Sequence, residues 1–227
     1  MNLSALTAWM LPRGVHPLNP RQSALAAAGA FTGLLLTALI CGFVRAQLGL
    51  GLWLMAPLGA SAVQVFCVPA SPLAQPWPVI AGHTVSALAG LLAFALCGHT
   101  SLGAALAVGL AAGGMLLIRG LHPSGGGTAL FVVLSQTGDW RFALFPVAVN
   151  AAVLVAVAMA WHRLTGLTYP HRPATGPRDG IVEADLEAAI AAETQFLDID
   201  PADLKRLIAA AERHAEERRK AAKGPLD

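Results

Sequence analysis

Residues 46 to 118 contain no Asp, Glu, Lys or Arg, an unbroken uncharged run. A soluble domain spreads charge over its whole surface, so a run of that length leaves too little polar surface to face water. The chain therefore reads as an integral membrane protein whose first partner is the lipid bilayer. Only seven charged residues precede His171: Arg13, Arg21, Arg45, Arg119, Asp139, Arg141 and Arg163. All other charges crowd into residues 171–227, which read as a soluble tail. The overall net charge of +2 thus hides a segregation, with six Arg against one Asp in the membrane part and nine basic against twelve acidic residues in the tail. An anionic partner is indicated for the membrane part alone, and no basic surface for nucleic acid is present.

A bilayer core takes roughly 20 helical residues. Residues 23–44 meet that length and Arg45 closes them, while residues 79–97, 104–118 and 143–162 supply three further spans. Two broken segments lie between spans. The first, Leu48 to Val68, is interrupted by Gly49, Gly51, Pro57 and Gly59, and helix is expected to restart at Ala60 or Ser61. The second is Arg119-Gly120-Leu121-His122-Pro123-Ser124-Gly125-Gly126-Gly127-Thr128, with a short helix expected from about Thr128 to Ser135. When Pro57 is set on Ser124, Gly59 falls on Gly126 and Ser61 on Thr128. Pro69, Pro72, Pro76 and Pro78 make residues 69–78 a turn, and Gln136 to Arg141 a polar one.

The expected fold is all-α and membrane-embedded, with two internal repeats of span, broken segment and span: about 23–98 and 102–163. Four full transmembrane helices and two short broken or re-entrant helices result, and whether the breaks cross or re-enter stays open. Residues 1–22 lack a sustained apolar run before a small-residue cleavage site, and form a cytoplasmic arm. The transmembrane domain covers 23–165, and 166–227 is a linker with a small helical tail. In that tail, helix is expected over Glu183 to Glu193 and again after Asp200-Pro201. Arg13, Arg21, Arg163 and Arg172 place both termini in the cytoplasm, across a bacterial-type inner membrane.

A helix that starts inside a membrane leaves backbone N–H groups unpaired at an electropositive end, which attracts anions. Gly125, Gly126 and Gly127, with Gly59 and Ala60 in the first break, offer such groups with little side chain in the way. Thr128 and Ser61 place hydroxyls at the helix starts, where they cap the helix and can also touch a ligand. His122 can hydrogen-bond, gate or take a proton, or be fixed to backbone at the break. Ser124 adds a further hydroxyl. His83 and Asn150 are polar residues within spans, and interhelical bonding or a pathway explains each. Arg45 and Arg119 raise the local anion concentration or serve as ordinary positive flanks.

Asp139 is the lone acidic residue before His171, so paired-carboxylate catalysis and carboxylate metal sites have no basis there. Cys41, Cys67 and Cys97 show no metal-ligand spacing and read as small core residues. A Ser124 or His122 nucleophile lacks an evident orienting partner, and no phosphate-binding GxxxxGK[ST] loop is present. The chain reads as a non-enzyme with no cofactor and no metal.

These segments resemble the HPP family of integral membrane proteins, named for a His-Pro-Pro motif followed by small residues and Thr-Ala. The matching residues are Leu121 to Leu130, supported by Pro57 to Val63, Ser71 to Pro76, Gly82-His83, Arg163 to Gly166 and Tyr169 to Arg172. Ser124 stands where the motif has its second proline, which softens the backbone at the break. The resemblance implies four spans and re-entrant breaks. It also implies a transporter or channel for a small inorganic anion, nitrite foremost, since a plastid member is associated with nitrite transport. Some members continue into paired CBS domains after a stretch similar to Leu197 to Asp200; regulation by that route is expected to be absent. The rival reading is a non-transporting membrane protein that recruits a soluble partner through its tail. A homo-oligomer is compatible with either.

Overall fold

The computed structural model describes residues 20–49 and 54–171, together with Leu204 and Ile208. The arm before Pro20 and most of the tail lie outside the described residues, so the two tail helices do too, save that Leu204 and Ile208 are helical. Among the described residues there is helix and turn but no strand.

Helix α1 covers Pro20–Leu48. Its 29 residues rise about 43 Å, more than the roughly 30 Å of a hydrocarbon core. Arg45 therefore sits inside the last turn, where the helix dipole favours a cation, and does not close the helix. Helix α2, Leu58–Cys67, follows the first break. A 3-10 turn at Pro72–Ala74 leads into α3, Pro76–Cys97. That helix starts ahead of the expected Val79. Pro76 and Pro78 fit its first turn because the N–H groups they lack would have no intrahelical partner there.

Gly98, with φ +63, ends α3, and Thr100 opens α4, Ser101–Leu117, by accepting from the Gly103 amide at 3.0 Å. After the second break comes α5, Pro123–Leu134. The last segment bends first. A 3-10 turn at Trp140–Ala143 and a wide turn at Leu144–Ala148 precede the regular helix α6, Val149–Thr165. Phe145 has extended φ/ψ of −127° and 125°, the conformation that a following proline, here Pro146, imposes on its neighbour.

Among the described residues three segments are long and apolar enough to cross a membrane: Pro20–Gln47, Pro76–Cys97 and Trp140–Thr165. The fourth expected span, α4, has 17 residues, or about 25 Å, short of that length. Its ends are fixed by the Thr100 cap and by Arg119, which adopts φ 54 while Gly120 donates to Met115 O at 2.8 Å. A left-handed residue with this bond closes a helix, although the position favours glycine.

Two apolar clusters hold the bundle together. One joins α2, α3, α5 and α6 through Leu58, Val65, Phe66, Val79, Leu91, Val132 and Leu154. The other joins α3, α4 and α5 through Ala89, Ala93, Ala107, Ala111, Met115 and Ala129. Phe31, Leu39, Phe43, Leu96, Leu102, Leu117 and Leu164 point outward. In water that surface would be costly; against lipid it is the expected solvent-facing side.

Candidate functional site

Proline sets both helix starts. Pro57 has helical φ/ψ of −58° and −19°, and α2 begins at the next residue, so Gly59 and Ala60 lie in its first turn and not before it. His122 is extended, as a residue before proline must be, and α5 begins at Pro123. The helix thus starts more than a turn ahead of the expected Thr128. Gly125, Gly126 and Gly127 are helical, which commits amides past the first turn to carbonyls four residues back. Gly125 N–H already donates to His122 O at 2.7 Å, Leu58 N–H to Met55 O and Gly59 N–H to Ala56 O, both at 3.1 Å. The open glycine cradle of amides foreseen in the sequence is thus largely occupied by the helices themselves.

Four side chains meet where α2, α3 and α5 converge. Ser61 Oγ lies 2.6 Å from His83 Nε2 and 2.8 Å from His122 Nε2. His83 Nδ1 lies 2.6 Å from Thr128 Oγ1, and His122 Nδ1 lies 2.9 Å from Leu73 O. The two imidazoles meet edge to face with centroids 4.9 Å apart. All four residues have no solvent exposure. A buried hydroxyl or imidazole is costly unless paired, and here each pairs with the next.

Two of the position pairs that the 67-residue offset sets together, Pro57 with Ser124 and Ser61 with Thr128, touch or share a partner. Ser124 Oγ donates to Pro57 O, joining the two helix starts. Ser61 and Thr128 bind opposite nitrogens of His83. The same correspondence sets Met55 on His122 and His83 on Asn150, and Asn150 accepts from Met55 N at 3.4 Å. Gly59, Ala60, Gly126 and Gly127 stay on the accessible side of this junction, while Ser61, His83, His122 and Thr128 are enclosed.

Glycine makes the convergence possible at two places. A β-carbon on Gly82 would lie 2.8 Å from Gly120 O and 2.9 Å from His122 Cβ. One on Gly125 would lie 2.6 Å from Ser86 Oγ and 2.8 Å from Met115 Sδ. Gly126 has only Val108 near it, at 3.9 Å, and Gly127 makes ordinary contact with Pro57.

Arg45 and Arg119 are exposed and lie outside the enclosed cluster. Several contributors carry no site role in the sequence pattern. Leu73 acts through its carbonyl, which no residue type announces. Ser86 is buried with no partner for its hydroxyl, one turn along α3 from His83. Tyr169 donates to Ala74 O at 2.8 Å and His171 N–H to Gln75 Oε1 at 2.9 Å, so the segment after α6 holds the turn that carries Leu73. Burial pushes the Tyr169 hydroxyl above its ordinary value. Among the described residues, no group of three or more His, Cys, Asp or Glu could hold a metal ion. His122 does have the orienting partner that the sequence did not reveal. The Ser61 oxygen lies between the two imidazoles, buried and bonded to both.

The model of a family described as "HPP, transmembrane region" matches residues 15–170. A transmembrane protein of Dictyostelium discoideum is 37% identical over 137 residues, which cover 57% of this chain and 44% of that protein. A second transmembrane protein of the same organism is 37% identical over 139 residues, 57% of this chain and 48% of its own length. The chain thus spans a little under half the length of these relatives. No solved structure matches it.

Proposed function

Because the chain belongs to the HPP transmembrane family, we propose that it is a membrane transporter for a small inorganic anion, with nitrite the first substrate to test. The observation that carries this reading is the meeting of two short apolar helix starts, joined by the Ser124 to Pro57 bond, beside the buried Ser61, His83, His122 and Thr128. Helices bring roughly half a positive charge to each N-terminus. Two such ends in one apolar bundle repel, and no buried carboxylate lies among the described residues to relieve them. A bound anion does so.

In this proposal the two repeats, about 23–98 and 102–163, close on the anion from opposite sides. The bonding between corresponding positions of the two halves supports that symmetry. The anion enters along Gly59, Ala60, Gly126 and Gly127 and meets the hydroxyls and imidazoles behind them. First-turn amides such as that of Ser124 contribute less than side chains, since Gly125 and Gly59 already use theirs. Both termini face the cytoplasm, and no step of chemistry is catalysed.

Purified protein in lipid vesicles tests this with nitrite, nitrate, formate and chloride. Uptake of at least one anion several-fold above protein-free vesicles is the expected result. If none exceeds them, and removal of residues 173–227 abolishes the cellular effect, the chain is a recruiting membrane protein and not a permease.

A further inference from the structure

The direction of every hydrogen bond in the cluster follows from one carbonyl. Leu73 O can only accept, so His122 Nδ1 carries a proton. In a neutral imidazole the other nitrogen is then an acceptor, so the Ser61 hydroxyl donates to His122 Nε2. Ser61 has a single proton, so toward His83 its oxygen accepts, and His83 Nε2 carries the proton. His83 Nδ1 is left as an acceptor for the Thr128 hydroxyl. The chain runs one way: Thr128 to His83 to Ser61 to His122 to Leu73.

We propose that this cluster stores one proton, and that the stored proton is the ion co-transported with the anion; the inference rests on the permease reading. An incoming proton bonds to Thr128 Oγ1, whose own proton passes to His83 Nδ1. The proton on His83 Nε2 then moves to Ser61 Oγ, and that of Ser61 moves to His122 Nε2. His122 ends as imidazolium, while Thr128, His83 and Ser61 are neutral again with their donors reversed. Every group keeps a partner. His122 donates to Leu73 O and Ser61, Ser61 to His83 Nε2, and His83 Nδ1 to Thr128. The Thr128 hydroxyl turns to Ser124 O, 3.5 Å away.

The store holds one proton because a backbone carbonyl at the Leu73 end is too weak a base to take it onward. No other charge competes. The groups facing the two imidazoles are Ser61 from α2, Thr128 from α5 and the Leu73 carbonyl from the turn, and the described Arg and Asp side chains are all exposed. The imidazolium is therefore a buried cation without a carboxylate, next to the helix starts where the anion is placed. Each favours the other by linkage, and a monovalent anion with one proton crosses without net charge.

The test uses vesicles holding the full chain, a luminal pH dye, and nitrite and nitrate as probes. Nitrate matters because its conjugate acid is too strong to carry protons through lipid unaided. About one proton per nitrate is expected to enter, independent of an imposed potential. Thr128→Val, which removes the entry hydroxyl, should lower protons per anion at least fivefold, and Thr128→Ser should retain them. Nitrate entry that leaves luminal pH unchanged, or equal acidification by the valine variant, overturns the store and leaves the permease reading standing. If neither anion enters, and formate and chloride do not either, the permease reading fails and nitrogen NMR of the wild-type histidines decides the store. Opposite neutral tautomers, Nε2–H at His83 and Nδ1–H at His122, are expected, with His83 switching as His122 gains its proton. The same tautomer at both overturns it.

Discussion

Gly125 faces Ser86 so closely that a β-carbon would lie 2.6 Å from the serine hydroxyl oxygen, with Met115 Sδ at 2.8 Å. At the neighbouring Gly126 a β-carbon would make only an ordinary contact, with Val108 at 3.9 Å. Gly125→Ala should therefore destabilise the folded protein by about 1–3 kcal/mol through overpacking. Gly126→Ala should be neutral or stabilising by about 0.5 kcal/mol, since it only restricts the unfolded chain. Thermal unfolding of both variants in detergent measures the contrast, and equal loss in the two would contradict the packing described.

Gly82 holds the second break against α3. A methyl group there meets Gly120 O at 2.8 Å and His122 Cβ at 2.9 Å, so Gly82→Ala must push His122 away from Ser61. The ring nitrogen resonances of His122 should shift markedly, while those of the exposed His99 stay in place. An unmoved His122 signal would show that the turn yields elsewhere.

Ser124→Ala removes the bond from Ser124 Oγ to Pro57 O and leaves that carbonyl with the Ser61 N–H at 3.4 Å as its remaining donor. A loss of about 1 kcal/mol is expected from one hydrogen bond. Denaturant unfolding reads it, and a double change with Pro57→Ala tests whether the two helix starts are coupled.

Tyr169→Phe should cost about 1 kcal/mol for the lost bond to Ala74 O. Because burial raises the Tyr169 hydroxyl above its ordinary value, the native state favours the neutral phenol. The stability this carries is whole below about pH 10, the unfolded value, and is lost as pH rises through it toward the raised native value. Wild type should lose stability above that pH more steeply than the phenylalanine variant, as measured by unfolding at pH 8 to 11.

Composition alone determined the class. An uncharged run from residue 46 to 118 admits few outcomes besides helices in lipid, and apolar length located the three helices among the described residues that are long and apolar enough to cross, while also marking the shorter α4 as a span. The internal correspondence of the two breaks also chose residues that the fold joins, since Pro57 meets Ser124 and His83 bridges Ser61 and Thr128. Glycines that closely follow a proline conceal where a helix starts. Both short helices begin directly after Pro57 or at Pro123, because a fixed φ nucleates the first turn and glycine within it costs little when packing demands it.

What only tertiary structure decided is partnership. Residue type showed that Ser61, His83, His122 and Thr128 are polar in an apolar setting. It carried no sign that they meet each other, because the contacts cross 22 to 61 positions of chain. Nor could it reveal Leu73, whose part is played by a carbonyl that every residue possesses. Lipid selects an apolar pattern that can be read one residue at a time. The order of a buried proton chain depends on which acceptor lies at its end, and that is settled only when the helices pack.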